Sequence, residues 1–301
     1  MEIVEEIRAL KKKRNALILA HYYVDGPIQA VADYVGDSYF LSKKAAETDC
    51  DLIVFCGVRF MAESAKLLNP GKTVLLPDER ADCPMAHMSS AQEIEEMRAR
   101  HADLAVVCYI NSTAEIKAHS DVCVTSSNAV KVVSALPNST IYFIPDGNLA
   151  RHVAEQVPEK KFVYGHGCCP VHQAVRAQDV RAAKALHPMA QVLVHPECLK
   201  EVVELSDYAG STAGIIEYAE KSACQEFIIG TELGVMFELE RRNPDKRFYP
   251  VKEDMICQDM KLNSLNNLLS ALREGENSVT LSEEQMEKAL PPLRRMHEIA
   301  R

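Results

Sequence analysis

The sequence predicts an α/β protein of three homologous domains, each a small parallel sheet layered between helices. Three apolar runs predict buried strands, at 17–20, 104–107 and 192–194. Each run is followed by a polar cluster, represented by His21, Tyr109 and His195. The spacing from His21 to Tyr109 is 88 positions, and that from Tyr109 to His195 is 86. A period of this length matches a small domain and predicts three copies of one unit.

Two further features keep the same period. Small hydroxyl residues recur at Ser38, Ser126 and Thr212, again 88 and 86 positions apart. Cysteines recur at Cys83, Cys169 and Cys257, which are 86 and 88 positions apart. Three features with one period indicate three α/β repeats, which we place at 1–86, 87–172 and 173–258.

Within each repeat the pattern predicts strand, helix, strand, helix and strand. The further strands are predicted at 52–55, 73–76, 140–144, 161–164, 226–229 and 247–249. Helices are predicted at 60–68 and 149–157. Residues 259–301 contain no fourth repeat and predict helices over 260–273 and from Ser282 onward, with Ser282 as the N-cap. We expect these terminal helices to pack back on the core.

The position of the polar residues predicts where a ligand binds. Strands that alternate with helices predict parallel sheets with right-handed crossovers. In such sheets, ligands bind beyond the carboxyl ends of the strands. Each polar cluster and each repeated cysteine comes just after a predicted strand. Three domains around a pseudo-threefold axis would bring all nine repeated positions to one central cavity.

The composition is that of a cytoplasmic protein that binds neither nucleic acid nor a membrane. The net charge is −9, and the basic run from Lys11 to Arg14 is short and ends a predicted amphipathic helix. No apolar run reaches the roughly 18 residues that a membrane span needs. The first ten residues are acidic and amphipathic, unlike a secretory signal.

The chain contains 10 cysteines, which a reducing compartment would leave as core residues, metal ligands or nucleophiles. None has CxxC spacing, which excludes a zinc ribbon, a thioredoxin motif and a bacterial ferredoxin run. A metal centre must therefore be assembled from distant cysteines. Six cysteines in or beside apolar runs are predicted core residues: Cys50, Cys56, Cys108, Cys123, Cys198 and Cys224.

The order of several short motifs resembles that of the quinolinate synthase family over nearly the whole chain. The matching motifs are His21-Tyr22-Tyr23, Gly36-Asp37-Ser38, Tyr109-Ile110-Asn111, Thr125-Ser126-Ser127-Asn128-Ala129, Cys169-Pro170-Val171-His172, His195-Pro196-Glu197-Cys198, Gly210-Ser211-Thr212 and the segment from Cys257 to Lys261. Each motif alone is weak, and their shared order is specific.

This resemblance implies three α/β domains and a condensing, dehydrating transferase. The implied reaction joins iminoaspartate to dihydroxyacetone phosphate and gives quinolinate, phosphate and water. Its product would feed NAD biosynthesis, downstream of an L-aspartate oxidase or dehydrogenase. The implied cofactor is one [4Fe–4S] cluster on Cys83, Cys169 and Cys257. Three ligands would leave one iron open as a Lewis acid, whereas an electron-transfer cluster normally has four cysteine ligands.

The resemblance also assigns roles to residues. The expected substrate-binding set is His21, Ser38, Tyr109, Asn111, Ser126, His195, Glu197 and Thr212. The histidines would supply N–H donors and, if protonated, charge. The three repeated hydroxyl residues are each expected to open a helix, where an anion is stabilised. Tyr23 and Glu197 are proton-transfer candidates, and His195 completes the catalytic set.

Two points depart from the family pattern or stay open. Cys168 precedes Cys169 where the family usually has another residue, and the repeat favours Cys169 as the ligand. His172 is expected to support the Cys169 loop, while Asp37 and Lys221 match family positions more loosely.

The alternative functions are another iron–sulfur hydro-lyase, an electron or metal carrier, and a zinc protein using three cysteines. Brown colour after anaerobic purification would separate an iron–sulfur protein from a colourless zinc protein.

Overall fold

The computed structural model describes residues 2–301, whose strands form three four-stranded parallel sheets of one topology. In each sheet the strands run in the order second, first, third, fourth of their repeat. Helices connect successive strands, as parallel pairing requires. The predicted fold class, three homologous α/β units, is confirmed. No helix among the described residues is both long and apolar enough to cross a bilayer.

The first two sheets and their helices occupy the chain up to about residue 173. The first contains α1 (Glu2–Lys13), β1 (Ala16–His21), α2 (Gly26–Gln29), β2 (Tyr34–Gly36), α3 (Ser38–Glu47), β3 (Leu52–Cys56), α4 (Arg59–Leu68) and β4 (Thr73–Leu75), followed by a 3-10 turn, Pro84–His87. The second contains α5 (Ala91–Arg100), β5 (Leu104–Tyr109), α6 (Ala114–Ala118), β6 (Val122–Val124), α7 (Ala129–Ala135), β7 (Thr140–Ile144), α8 (Gly147–Gln156), β8 (Lys161–Tyr164) and α9 (Pro170–Gln173).

The third sheet and the terminal helices follow. The third unit contains α10 (Ala177–Leu186), β9 (Gln191–Val194), α11 (Lys200–Val203), β10 (Tyr208–Ala209), α12 (Thr212–Lys221), β11 (Glu226–Gly230), α13 (Val235–Arg242), β12 (Arg247–Pro250) and α14 (Gln258–Lys261). The terminal helices are α15 (Leu265–Glu274) and α16 (Glu283–Ile299). The proposed domain limits at 86, 172 and 258 remain a prediction.

The central strands follow from the continuous apolar runs, whereas one edge strand of each sheet escaped prediction. All residues of β1 and β5 are buried, as expected for strands covered on both faces. Each sheet also has a two- or three-residue edge strand beside its first strand: β2, β6 and β10. The expectation of three strands per unit was therefore wrong, because so short a strand carries no recognisable period.

The terminal helices pack on the core, although one expected helix is broken. The helix predicted over 260–273 is interrupted before α15, whose N-cap Ser264 accepts the Asn267 N–H at 3.1 Å. The predicted N-cap Ser282 is confirmed at the start of α16, with a reciprocal capping box to Gln285. Helix α15 lies against α1 and β3, and α16 lies against α4, α6 and β6.

The buried residues divide unevenly between the units. The first and second units, α15 and α16 share one continuous apolar core. The third unit has two smaller apolar clusters on its sheet, one containing Val192 and the other Leu193. Alternation along β9 explains the two clusters, because successive side chains point to opposite faces.

Candidate active site

The carboxyl ends of the three sheets surround one cavity. Every residue that the sequence predicted for the site lines it: His21, Tyr23, Ser38, Cys83, Tyr109, Asn111, Ser126, Cys169, His195, Glu197, Thr212 and Cys257. Asp37, His172 and Glu232 line it as well. The surface residue Lys221 does not, and its ammonium group pairs with Glu217. No lysine or arginine within residues 2–301 lines this cavity.

The three repeated cysteines have equivalent local structures. Each is the N-cap of a short helical segment: Cys83 before the 3-10 turn, Cys169 before α9 and Cys257 before α14. In each case the peptide N–H groups two and three residues further on point at the sulfur. Such donors stabilise a thiolate, which is the form of cysteine that binds a metal.

The cysteine set fits a metal centre. Burial raises the pKa of Cys257 to about 11 and raises the pKa values of Cys83 and Cys169 further. Thiols with pKa values this high stay protonated at neutral pH, so a bound cationic centre would be needed to hold them as thiolates. Three sulfurs that line one cavity, each with peptide N–H groups directed at it, suit an iron–sulfur cluster. Cys168 does not line the cavity, which favours Cys169 as the ligand from this loop.

A carboxylate accepts a hydrogen bond from the backbone N–H group of each cysteine. The N–H groups of Cys83, Cys169 and Cys257 donate to Asp82 at 2.7 Å, Asp146 at 3.3 Å and Glu232 at 3.1 Å, respectively. Asp146 and Glu232 were not predicted from the sequence, although they are 86 positions apart and so keep the repeat. Both are buried.

Lys261 connects this arrangement to the first unit. Its ammonium group lies 3.1 Å from the Glu232 carboxylate and donates to the Tyr23 carbonyl at 2.7 Å. The Cys257 loop and the Tyr23 loop are therefore tied through one charged side chain. The motif ending at Lys261 contains this residue, but its partners could not be predicted from the sequence.

His21 and His195 have equivalent hydrogen bonds that fix their tautomers. Nδ1 of His21 accepts the Tyr23 N–H at 3.2 Å, and Nδ1 of His195 accepts the Glu197 N–H at 3.3 Å. Each neutral ring therefore carries its proton on Nε2. Nε2 of His195 lies 3.3 Å from the Ser126 hydroxyl. Burial lowers the pKa of each histidine to about 3, so both act as neutral N–H donors.

Glu197 is a buried carboxylate beside two imidazoles. Its Oε2 lies 2.7 Å from His172 Nδ1 and 3.5 Å from His195 Nδ1. The His172 contact is close, but Nδ1 has no aligned hydrogen-bond partner; Glu197 Oε1 has no partner either. Burial acts to raise the pKa of Glu197, and the polar groups around it, the rings of His195 and His172 and the Tyr109 hydroxyl, outweigh burial and lower that pKa. The carboxylate is therefore ionised at neutral pH.

The phenols of Tyr23 and Tyr109 both lie near the Glu197 carboxylate. The Tyr23 hydroxyl hydrogen-bonds the hydroxyls of Thr212 and Thr231, each at 2.7 Å. Burial, followed by the charge of Glu197, raises the pKa of Tyr23 and that of Tyr109 well above the ordinary value. Both phenols are therefore neutral hydrogen-bond donors.

The repeated hydroxyl residues do not all occupy the expected place. Ser38 and Thr212 are the first residues of α3 and α12, after the N-caps Asp37 and Ser211. Ser126 instead lies in a turn ahead of α7, whose N-cap is Asn128, so its expected position at a helix start was wrong.

Four of the six predicted core cysteines are fully buried; Cys50 and Cys224 are partly exposed.

The chain is similar to a known protein family over almost its full length. The family model described as "Quinolinate synthetase A protein" matches residues 5–298. A protein of Thermodesulfovibrio yellowstonii named quinolinate synthase is 49% identical over 293 residues, which cover 97% of each chain. Proteins with the same name from Caldicellulosiruptor bescii and Clostridioides difficile are 51% and 48% identical, covering 98% and 99% of this chain and 97% and 98% of their own.

Proposed function

Since the chain belongs to the quinolinate synthetase A protein family, we propose that it is a quinolinate synthase of NAD biosynthesis. Its substrates would be iminoaspartate and dihydroxyacetone phosphate. Quinolinate, phosphate and water would be the products, and an L-aspartate oxidase or dehydrogenase would supply the imine. The observation that carries this proposal is the convergence of three cysteines, neutral N–H and O–H donors and one ionised carboxylate on a single cavity.

In this proposal Cys83, Cys169 and Cys257 hold a [4Fe–4S] cluster. Their shared position at the start of a short helical segment, with two peptide N–H groups directed at each sulfur, supports the assignment. When bound, the cluster would supply one iron without a protein ligand as a Lewis acid toward a substrate oxygen or nitrogen. Among residues 2–301, no fourth cysteine lines the cavity, which argues against an electron-carrier cluster with four cysteine ligands.

Anionic substrates would be held by neutral donors. His21 and His195 would offer Nε2–H groups, and Ser38 and Thr212 would add hydroxyls at the starts of α3 and α12. Tyr109, Asn111 and Ser126 would complete the binding set from the second unit. The Asn111 side-chain oxygen is buried without a partner, so it is available to accept an N–H or O–H group of a substrate.

Tyr23 and Glu197 would transfer the protons, and His195 would orient the Glu197 carboxylate. Condensation and dehydration require protons to leave carbon and reach departing oxygens. Glu197 is ionised and accepts a proton, and Tyr23 is neutral and donates one. The two groups line the same cavity and so can act on one bound molecule.

The decisive experiment is an anaerobic assay of the purified, iron-loaded protein. Quinolinate should form from dihydroxyacetone phosphate and iminoaspartate generated in place from oxaloacetate and ammonia. The protein should be brown and contain about four irons per chain, as the proposed cluster requires. Cys257→Ser should lose iron and activity, whereas Cys224→Ser, on a partly exposed cysteine away from the cavity, should keep both. A brown protein that forms no quinolinate would refute the function.

A further inference from the structure

Three short helices occupy equivalent places, directly after the loops that follow the first strand of each unit. They are α2, α6 and α11, which begin at positions 26, 114 and 200 and so keep the spacings of 88 and 86. The repeat aligns Gln29 of α2 with Lys117 of α6 and Val203 of α11. The contacts of these three side chains can therefore be compared between the units.

Gln29 and Lys117 hold equivalent backbone groups. The Gln29 amide donates to the Val24 carbonyl at 2.8 Å. The Lys117 ammonium group donates to the Ser112 carbonyl at 2.6 Å. Val24 and Ser112 are 88 positions apart, so the two hydrogen bonds are the same contact in two units. In each unit the loop after the first strand is thus fixed by a side chain that does not line the cavity.

The third unit has an apolar contact at the same place. Val203 packs on the cluster that contains Cys198, the counterpart of Ser112. The loop of this unit contains Pro196, whose ring fixes one backbone dihedral angle, whereas the other two loops have no proline. A side-chain donor at this helix position therefore occurs in the two units whose loops lack that restraint.

Lys117 brings a charge into this position. It is 0% exposed, and it forms no salt bridge with a carboxylate among residues 2–301. Its ammonium group also faces the ring of Phe60, 5.5 Å from the ring centroid, and Phe60 lines the cavity. A buried cation without a carboxylate partner lowers stability relative to an apolar side chain of the same size. The contribution of Lys117 is therefore expected in the loop that it holds rather than in the stability of the fold.

The carbonyl that Lys117 holds belongs to a turn that carries two cavity residues. The Ser112 hydroxyl donates to the Tyr109 carbonyl at 2.9 Å, and the Ser112 N–H donates to the Ile110 carbonyl at 2.8 Å. Tyr109 and Asn111 both line the cavity. Fixing Ser112 therefore fixes the turn that presents these two side chains.

We propose that Lys117 is a positioning residue for substrate binding, because its ammonium group holds the turn 109–112 from outside the cavity. The proposal deepens the proposed function and rests on it, since Tyr109 and Asn111 belong to the proposed binding set. Without the contact, the turn must become ordered when the substrate binds, and this ordering weakens affinity. Gln29 has the same part in the first unit.

Two replacements of Lys117 test the hydrogen bond separately from the charge. Lys117→Met keeps an unbranched side chain and removes the donor, whereas Lys117→Gln introduces the donor that the first unit uses. We expect the methionine variant to raise KM roughly tenfold with a smaller change in kcat, and to bind quinolinate about tenfold more weakly in anaerobic calorimetry. The glutamine variant should recover most of the affinity.

The melting temperature distinguishes positioning from structural support. Lys117→Met removes a buried cation and leaves no carboxylate unpaired, so its Tm should equal or exceed that of the wild type. Lys160→Met is the matched control, because Lys160 also donates to backbone carbonyls, those of Leu136 and Asn138, but precedes β8 at the end away from the cavity. This control should lower Tm and leave KM and quinolinate affinity unchanged.

Wild-type KM and quinolinate affinity in Lys117→Met would refute the proposal, whatever its Tm. A glutamine variant as weak as the methionine variant would also refute it, because the charge and not the hydrogen bond would then matter. If Lys117→Met does not fold, Ser112→Ala, which removes the hydrogen bond to the Tyr109 carbonyl, must raise KM in its place, and a wild-type KM there overturns the proposal. A wild-type protein that neither forms nor binds quinolinate refutes instead the function on which the proposal rests.

Discussion

Removing the Tyr23 hydroxyl measures what this group contributes to folding stability and to turnover. Tyr23→Phe deletes one oxygen and with it two hydrogen bonds of 2.7 Å, to Thr212 and Thr231. At about 0.5–1.5 kcal/mol for each neutral bond, the free energy of unfolding should fall by about 1–3 kcal/mol. The fold should survive, because the aromatic ring and its packing are kept.

Tyr23→Phe should lower kcat by more than its loss of folding stability alone could explain. If the hydroxyl transfers a proton, kcat should fall roughly 100-fold, which corresponds to about 2.7 kcal/mol of transition-state free energy. Iron content should be unchanged, because the Tyr23 hydroxyl does not hydrogen-bond Cys83, Cys169 or Cys257. The measurements are anaerobic kcat, iron per chain and urea unfolding of the same preparations.

The neighbouring tyrosine supplies the matched control. Tyr22 is also buried, but it does not line the cavity, and its hydroxyl faces Arg242. Tyr22→Phe should therefore reduce stability without a comparable change in kcat. Near wild-type kcat in Tyr23→Phe, or an equal loss in both variants, would show that the Tyr23 hydroxyl has no special part in the reaction.

Three further predictions concern the metal ligands and the histidines. Anaerobically reconstituted Cys169→Ser should lose its iron and Cys168→Ser should keep it; the reverse result would move the ligand to Cys168. Mössbauer spectra of labelled protein should resolve one iron that changes when a dicarboxylate substrate analogue binds, and four unchanged irons would contradict an open coordination site. Since the pKa of His195 is about 3 when folded against about 6.5 unfolded, the folded state binds fewer protons and wild-type stability should fall as pH drops below 6.5. Between pH 6.5 and 5 this loss should be about 1.5 kcal/mol greater than in His195→Gln, and parallel unfolding curves would exclude a neutral His195.

The period of the sequence located the site, because equivalent strands bring equivalent residues to one place. The same period would also have identified Asp146 and Glu232, had acidic residues been compared at equivalent positions. Edge strands such as β10 were missed because two residues carry no pattern. The sequence left the protonation state of His195 open, because that state depends on burial and not on residue type.

The contact of Thr231 with His172 could not be predicted from the repeat. The counterparts of Thr231, Gly57 and Pro145, have different chemistry, so the repeat does not mark it. The Thr231 hydroxyl, just after β11 of the third unit, lies 2.9 Å from Nε2 of His172, which follows the second sheet. A contact between separate units of this kind is decided by packing in three dimensions.

The shared core of the first two units has a consequence for synthesis of the chain. Helix α16 contributes Ala289, Leu293 and Met296 to that core, although these residues are made after the whole third unit. The third unit buries its two clusters using residues made before α16. During translation the first two units emerge well before α16, so part of their apolar surface stays uncovered until α16 is made. Ribosome-bound chains that stop before α16 should therefore expose that surface and recruit chaperones, even with all three sheets already synthesised.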